Sequence, residues 1–485
     1  MKIERNARVL CWDETLIDQQ YGVRVEQHKP VKQNIALRCD DEWEGVHNGY
    51  AAVMKTDDGY RMYYCAHTGR FYADGKADWG KGVVCVAESK DGIHFKKPRV
   101  GKYSYNGVSY NNIVFMREEF IDNFSVFYDT NPDCPKDEKY KALSSRHNNS
   151  GDYSTDLVYY ASEDGYNFRE IGPLDVHGAF DSYNVTLWDP VSKQYYLFYR
   201  NFHTKTSKEA VFSMDNEKTN VRDVSVATSK DFKHWEFFGH IEFAEDKIEI
   251  QLYTNQIVKY YRSKNTFIGF PMRYIDRKDE SYNFAQMPLA DRHEFVTKYF
   301  GREGTVATDV CIMTSEDGKH FDRRDEVFLS QGPEARNNWW YGNKNTVYGI
   351  IETEADEEGA ANEISFFAGE NYRINHVNFR RYTVRLDGYF SWYAPFKGGE
   401  ILTKPCTFDG DTLKINFATS SLSGMSFDIC DEDGNVLDGY QSGVLFGDSV
   451  NRRVDFKKPL ADLKGKTVRF KIRLSDAHLY SFIFE

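Results

Sequence analysis

One pattern of apolar and polar positions occurs four times along the chain. A short apolar or β-branched run is followed by Ser-x-Asp, in three of the four copies by Gly, and then by an aromatic residue four positions after the Asp. The serines of the copies are Ser89, Ser162, Ser229 and Ser315. Ser and Asp side chains accept hydrogen bonds from turn amides, and Gly adopts positive φ without strain. The pattern therefore predicts a strand that enters a tight turn, after which the aromatic anchors the outgoing strand.

The spacing between the copies predicts a repeated unit of about four strands. Steps of 67 to 86 residues are too long for a solenoid repeat and suit a blade with loops. In the first unit, two further apolar runs flank an Asp-Asp-Gly turn at residues 57–59. Units two, three and four are predicted to open at Asn111, Asp181 and Glu249, and an insertion near residues 276–303 explains the longest step.

A fifth unit, residues 341–392, lacks Ser-x-Asp but keeps the succession of short strands. Because a closed ring hides strand edges, we predict an all-β fold with a five-bladed β-propeller. From residue 399 onward, short alternating strands separated by turn residues are typical of a β-sandwich. We expect a catalytic propeller domain at residues 1–394 and a β-sandwich domain at residues 395–485, packed together without a low-complexity linker.

Composition narrows the range of partners. The 485-residue chain has a formal net charge of -12, which argues against nucleic acid or an anionic membrane as the partner. Aromatic residues make up 16 % of the chain and suit both strands and sugar-binding surfaces. Residues 1–10 contain charges where a secretory signal needs apolar residues, so we expect a soluble cytoplasmic protein unless a signal has been removed. The eight cysteines form no C-x-x-C pair, and neither a metal nor a cofactor is expected.

Propeller geometry indicates which polar residues could meet. The innermost strands of all blades start at one mouth of the ring, although they are far apart in sequence. Acidic residues stand at three such starts: Asp41 and Glu44 before unit one, Asp181 in unit three and Glu249 in unit four. Cleavage of a glycosidic bond needs a carboxylic acid that protonates the leaving oxygen and a carboxylate that acts as base or nucleophile. The acids therefore point to glycoside hydrolysis.

This layout resembles the five-bladed propeller glycoside hydrolases of the invertase and arabinanase clans, including the sandwich that follows the propeller in the invertase-like group. Where the invertase group has Asn-Asp-Pro-Asn-Gly, residues 39–45 read Cys-Asp-Asp-Glu-Trp-Glu-Gly. Its Arg-Asp-Pro and Glu-Cys phrases are replaced by Phe-Asp-Ser-Tyr-Asn at 180–184 and Ile-Glu-Ile-Gln at 248–251. The resemblance covers the layout of nearly the whole chain, and the motifs are degenerate.

The resemblance implies a role for each acid. Asp181 would orient the substrate and stabilise the transition state, and Glu249 would be the general acid. Either Asp41 or Glu44 would be the nucleophile or base, and the sequence does not choose between them. As the proton donor, Glu249 is expected to have a raised pKa.

Other polar and aromatic residues near the predicted mouth are candidates for substrate binding: His47, Asn112, Asn184, Asn255, Arg273, Trp339 and Trp340. Arg273 could equally form an ion pair between blades. Of the two tryptophans, one is expected to stack on a sugar and the other to plug the ring. Glu363 is a reserve carboxylate.

Three functions are compatible with the sequence. The first is a glycoside hydrolase acting on short oligosaccharides, furanosides among them. The second is a propeller glycoside phosphorylase, which needs one catalytic acid and a basic phosphate pocket that Arg273 and Arg277 could supply. The third is a carbohydrate-binding propeller without catalysis. The expected partner is a carbohydrate in each case, and self-association into a homo-oligomer is left open.

Overall fold

The computed structural model describes the chain except for residues 68–69, 72–75, 79, 119–120, 122, 148–154, 212–219, 245–246, 278–280 and 375. The predicted fold class is confirmed, since five sheets form the blades of a propeller. In the described residues, no helix has the length and apolar character needed to cross a bilayer.

Each blade is a sheet whose strands follow one another outward from the axis of the ring. Blade 1 comprises His47–Thr56, Gly59–His67, Gly82–Ser89 and Ile113–Met116, and blade 2 comprises Ser125–Tyr128, Tyr140–His147, Thr155–Ser162 and Arg169–Pro173. Blade 3 comprises Val185–Asp189, Gln194–Thr204 with Ser207–Val211 beside it, Asn220–Ser229 and Glu236–His240. Blade 4 comprises Val258–Lys259, Phe267–Gly269 with Met272–Asp276, Val306–Ser315, His320–Leu329 and Glu242–Phe243, and blade 5 comprises Ile351–Thr353, Glu363–Glu370, Asn378–Arg385 and Val31–Arg38.

The first strands of neighbouring blades contact one another around the axis. Ser125–Tyr128 lies against both His47–Thr56 and Val185–Asp189. Val185–Asp189 in turn contacts Val258–Lys259, and Ile351–Thr353 contacts His47–Thr56. The starts of these strands consequently meet at one end of the ring.

The third strand of each blade is buried on both faces because blades pack face to face. In blade 1, Gly82–Ser89 is almost wholly buried, which explains its unbroken apolar run in place of the alternation of a half-exposed strand. The four Ser-x-Asp phrases end the third strands of blades 1 to 4, as the repeat predicted.

The turns have the hydrogen bonds that their residues predict. In all four, the Ser hydroxyl accepts the amide three positions later at 2.9 Å. In blade 3, Oδ1 of Asp231 also accepts the amides of Lys233 and His234, each at 2.9 Å. Phe232 occupies the glycine position of this turn and has a φ of 64°. The hydrogen bonds therefore hold the turn even where Gly is absent.

Two assignments of strands to units were wrong. Asn111 and Asn112 precede the outermost strand of blade 1, Ile113–Met116, and do not open blade 2. Residues 388–392 were assigned to unit five, but Phe390–Ala394 belongs to the C-terminal sheet, and Val31–Arg38 supplies the outer strand of blade 5. Both errors come from pairing partners that are distant in sequence.

Eight strands form the C-terminal sheet. The long strands Leu413–Cys430 and Arg469–Phe484 pair along most of their length. The other members come from both ends of the chain: Arg8–Leu10, Ile17–Tyr21, Arg24–Gln27, Phe390–Ala394, Gly399–Thr403 and Asp448–Val454. A hydrophobic cluster that includes Trp392, Phe427 and Phe470 lies under this sheet.

The remaining elements are short. Lys2–Ile3 pairs with Thr407–Phe408, and Arg70–Phe71 pairs with Ala77–Asp78. The described helices are the α-helices Ser281–Phe284 and Ala290–Phe300 and the 3-10 helices Lys136–Glu138, Gly301–Gly304 and Leu460–Leu463. The longest, Ala290–Phe300, lies in the predicted insertion of unit four, where it packs Val296 near Trp340 and Tyr341.

Candidate active site

Tyrosines surround the axial mouth where the inner strands begin. The hydroxyl of Tyr253 lies 2.8 Å from that of Tyr341 and 3.4 Å from that of Tyr50. The Tyr372 hydroxyl lies 2.5 Å from Nε2 of His47. Burial raises the pKa of Tyr253 and of Tyr341 well above the usual range, so these phenols stay protonated and can donate to a ligand oxygen.

Asp181 lies at this mouth and is held by Arg200. Its carboxylate Oδ1 is 3.2 Å from Nη1 of Arg200, and 37 % of its side chain is exposed. The same guanidinium donates to the carbonyl of Tyr253, and the Tyr50 hydroxyl lies 3.5 Å from the carbonyl of Asp181. Arg200 itself is buried, so the carboxylate is fixed by a rigid partner and faces solvent.

Glu249 precedes the first strand of blade 4, and 42 % of its side chain is exposed. Its Oε2 is 2.9 Å from Nζ of Lys208 and 3.2 Å from Nε2 of His203. The expectation of a raised pKa is wrong: the hydrogen bond from Lys208, helped by the one from His203, lowers the pKa of Glu249. Burial opposes this, but the side chain is too exposed for desolvation to prevail. In this arrangement Glu249 is ionised.

The acids of blade 1 gather around Lys97. Glu44 is fully buried, and its carboxylate accepts the Tyr64 hydroxyl at 2.5 Å, the Lys97 ammonium at 2.7 Å and the Asp41 amide at 2.8 Å. Asp41 itself lies 3.2 Å from Nζ of Lys97. Burial raises the pKa of Glu44. The contacts of Asp41 and Glu44 form a structural network around Lys97.

Three asparagines expected to bind substrate instead satisfy backbone or core groups. Asn112 accepts the Trp43 indole and donates to the Val86 carbonyl, each at 2.8 Å. Asn184 donates to the carbonyl of Ser182 at 3.0 Å. The Asn255 amide group lies 3.4 Å from two buried carbonyls. These side chains hold nearby backbone in place and do not point to a ligand-binding role.

The other expected binding residues divide between the mouth and the core. His47 lines the mouth. Arg273 forms a bidentate ion pair with Asp309 at 2.5 and 2.6 Å, and the pair joins two strands of blade 4 instead of two blades. Trp340 is buried, whereas Trp339 is partly exposed and donates its indole N–H to Gly332 at 2.9 Å.

No family model matches the chain, and no curated protein matches it. Among solved structures, the chain is similar to a protein described as a glycoside hydrolase, with 11 % identity, a TM-score of 0.46, and coverage of 75 % of this chain and 93 % of that one. For the Bombyx mori GH32 beta-fructofuranosidase the values are 9 % identity, a TM-score of 0.41, and 95 % and 94 % coverage.

A third similar structure comes from work on the GH130 family of mannoside phosphorylases, described as containing glycoside hydrolases that target beta-1,2 mannosidic linkages in Candida mannan. It shares 13 % identity with a TM-score of 0.41, over 73 % of this chain and 94 % of that one. At such identities and scores, none of the three decides what this chain does.

The tyrosines and the arginines of the mouth were not predicted from the sequence. Tyr50, Tyr253 and Tyr341 stand at the starts of three units, a coincidence that aligning the units by their first strands would have revealed. Arg222 and Arg302 both lie against the ring of Tyr274, at 4.3 and 5.5 Å from its centre. No local pattern marks these arginines, because they come from a third strand and from a short helix.

Proposed function

We propose that the protein is a glycoside hydrolase that cleaves short oligosaccharides, furanosides among them, with Asp181 and Glu249 as its carboxyl pair. One observation carries the proposal: a single strand of blade 3, Gln194–Thr204, holds both acids, Asp181 through Arg200 and Glu249 through His203. Residues three apart in a strand point to opposite faces, so Arg200 and His203 reach the two acids from opposite sides of the strand. The proposal requires the two carboxyl groups to lie about 6.5 to 9.5 Å apart, with a water between them.

The roles follow from the surroundings of each acid. Glu249 is the general acid of the proposal, and it must gain a proton first. Lys208, its principal counter-ion, has 71 % of its side chain exposed, so a bound sugar can displace it and desolvate Glu249, which raises the pKa. Because Asp41 and Glu44 are engaged with Lys97, the base is assigned to Asp181, in addition to its expected role in orienting the substrate.

The tyrosines of the mouth complete the proposed site. Protonated phenols can donate to sugar hydroxyls, and their rings can lie against a sugar face. His47 lies beside Tyr372 on this side of the site. The described residues that line it include hydrogen-bond donors but no carboxylate. We assign it to substrate recognition and the Asp181–Glu249 side to bond cleavage.

We further propose the expected division of the chain near residue 394, with a β-sandwich as the second unit. The strand pairs of Arg8–Leu10, Ile17–Tyr21 and Arg24–Gln27 support adding the N-terminal residues to that unit. A cytoplasmic location and a carbohydrate partner, with neither nucleic acid nor membrane, belong to the same proposal.

A phosphorylase is the second candidate. Arg222 and Arg302, stacked on Tyr274, put two guanidinium groups next to Tyr253, whose ring lies 5.6 Å from that of Tyr274. Guanidinium groups bind phosphate through bidentate hydrogen bonds. Arg273 does not serve this purpose, because Asp309 holds it.

The decisive experiment is a screen of aryl glycosides and furanosides, with and without inorganic phosphate. We expect hydrolysis that does not require phosphate; strict phosphate dependence would favour the phosphorylase. Glu249→Gln should lower the rate on substrates with poor leaving groups at least about a hundredfold and spare activated aryl glycosides more, since these need less protonation. Asp181→Asn should also lower the rate.

Asp433→Asn is the matched control, because it removes an exposed carboxylate in a turn of the C-terminal sheet. It should retain the wild-type rate. Full activity of both Glu249→Gln and Asp181→Asn on a confirmed substrate would refute the site, and sugar binding without turnover of any substrate would favour the binding propeller.

A further inference from the structure

Three potential metal ligands meet inside blade 3. His203, Asp223 and His240 come from its second, third and fourth strands, and one ligand atom from each lies within 4.8 Å of the others. Nδ1 of His203 is 2.8 Å from Oδ2 of Asp223, and Nδ1 of His240 is 4.0 Å from the same oxygen. All three side chains are largely buried. The cluster brings two imidazoles and a carboxylate together.

Among the described residues, some buried polar atoms around this cluster have no hydrogen-bond partner, and Nε2 of His240 is one of them. Nδ1 of His203 has Oδ2 of Asp223 as an ion-pair contact. Asn201, which faces Asp223 across the strand pair, is fully buried, and its Oδ1 has no partner. Its amide nitrogen donates to Ser225, whose hydroxyl lies 3.2 Å from Nδ1 of His240. Buried orphan atoms of this kind call for an unplaced ion or water.

The second nitrogen of His203 has the partner that metal-bound histidines usually have. Its Nε2 lies 3.2 Å from Oε2 of Glu249. A carboxylate on the far side of an imidazole fixes the tautomer in which the near nitrogen carries a lone pair for a metal. Lys208 also approaches Nε2, at 2.9 Å, but this lysine is exposed and can move away.

We propose that blade 3 binds a divalent transition-metal ion through His203, Asp223 and His240. Two imidazoles and one carboxylate suit Zn²⁺ and neighbouring first-row ions, with water in the remaining position. The site was not expected from the sequence, because the three residues are separated by loops and form no spaced motif. It lies within one blade, and it does not depend on the proposed function. A bound ion would cross-link three strands and orient His203 towards Glu249.

The exposed Asp–His pairs of the turns provide an internal control. In the same blade, Nδ1 of His234 lies 2.7 Å from Oδ2 of Asp231 at the surface, and among the described residues no third ligand joins this pair. A metal that binds to any Asp–His pair would bind there too. His234→Gln therefore separates a built site from adventitious binding to histidines.

The test is titration of ZnCl2, and separately MnCl2, into full-length protein dialysed against chelator, followed by calorimetry and by the thermal unfolding midpoint. We expect one equivalent of at least one ion to bind and to raise the midpoint. Asp223→Asn and His240→Gln should each weaken binding at least about a hundredfold and remove the shift. Glu249→Gln should weaken it about 10- to 100-fold, the usual loss for an outer partner. His234→Gln should bind as the wild type does.

Several results would overturn the site. Wild-type protein that takes up neither ion, or uptake that is unchanged in Asp223→Asn and His240→Gln, would show that the cluster is an ordinary buried Asp–His arrangement. Loss of binding in His234→Gln alone would show adventitious uptake. Because a variant of a metal ligand can fail to fold, the circular dichroism spectrum of each variant is recorded. If both ligand variants are unfolded, the stoichiometry of metal binding to the wild-type protein decides whether the site exists.

Discussion

Glu44 and Asp387 are both fully buried carboxylates, yet their surroundings shift their pKa values in opposite directions. Burial raises the pKa of Glu44, whose single ammonium partner, Lys97, is shared with Asp40 and Asp41. Burial acts on Asp387 too, but hydrogen bonds and charge from Arg262 hold the pKa of Asp387 below its ordinary value. The comparison shows that the supply of cations and donors, and not burial alone, decides whether a buried acid stays ionised.

Asp387 owes its partners to its position between blade 4 and the C-terminal sheet. Oδ1 accepts the Tyr260 hydroxyl at 2.6 Å and Nε of Arg262 at 2.7 Å, both from blade 4. Oδ2 accepts the Ser481 hydroxyl at 2.6 Å and lies 3.4 Å from Nη1 of Arg8, both in the C-terminal sheet. One carboxylate therefore joins the propeller to the second sheet, whereas the Glu44 network stays within the ring.

The largest expected effect is that of Asp387→Asn. It leaves two guanidinium groups without their counter-ion in the interior and should cost about 3 kcal/mol in the free energy of unfolding. Because the folded-state pKa of Asp387 is lowered, its contribution is present above about pH 3.9 and is lost as the pH falls below that value. Urea unfolding at pH 7 and pH 3 measures both effects. A variant as stable as the wild type at pH 7 would contradict the role of Asp387 as the joining residue.

Glu44→Gln should lower the free energy of unfolding by less, about 1 kcal/mol at pH 7. The variant loses the ion pair with Lys97, but it no longer has to bury a charged carboxylate, and this partly compensates the loss. The pH dependence has the opposite sign. A raised folded-state pKa makes wild-type stability fall as the pH rises from about 4.3 through that pKa, and the variant should lose this dependence. Unfolding curves between pH 4 and 7 test it. Identical slopes for variant and wild type would refute the assignment.

Asp231→Ala should have the smallest effect, about 1 kcal/mol or less, since it removes a turn acceptor that is half exposed. The His234 amide and ring lower the pKa of Asp231, so this contribution is also lost as the pH falls below about 3.9. The midpoint of urea unfolding at pH 7 measures it. A loss equal to that of Asp387→Asn would show that exposed and buried acids do not differ in this protein.

The fold was predictable where its causes are local. Ser-x-Asp sets a turn through hydrogen bonds within a few residues, and all four copies end third strands. In blade 5, Arg385 stands at the serine position before Asp387 and Gly388, so the Ser-x-Asp pattern does not mark this turn. The carboxylate of Asp387 accepts hydrogen bonds from Tyr260, Arg262 and Ser481, which lie in blade 4 and the C-terminal sheet. Strands that pair over long distances, such as Val31–Arg38, leave no local trace.

The candidate site was predictable to a similar extent. Asp181 and Glu249 could be selected because propeller geometry brings the starts of the inner strands together at one end of the ring. The protonation state of Glu249 could not be predicted, since it depends on His203 and Lys208, which lie on two different strands of blade 3. The tyrosines of the mouth were hidden for a different reason: Tyr is so frequent in this chain, with 33 copies, that no single one stands out.

The closure of the ring by Val31–Arg38 has a consequence for biosynthesis. Its partner strand, Asn378–Arg385, leaves the ribosome much later, since Arg38 and Asn378 are 340 residues apart. At about 5 to 20 residues per second, the first strand waits for tens of seconds with its edge unpaired. An exposed edge recruits other strands, so the nascent chain is open to aggregation during this interval. The polar and charged residues of Val31–Arg38, among them Lys32, Gln33, Asn34 and Arg38, are the kind that limit such pairing until the last blade arrives.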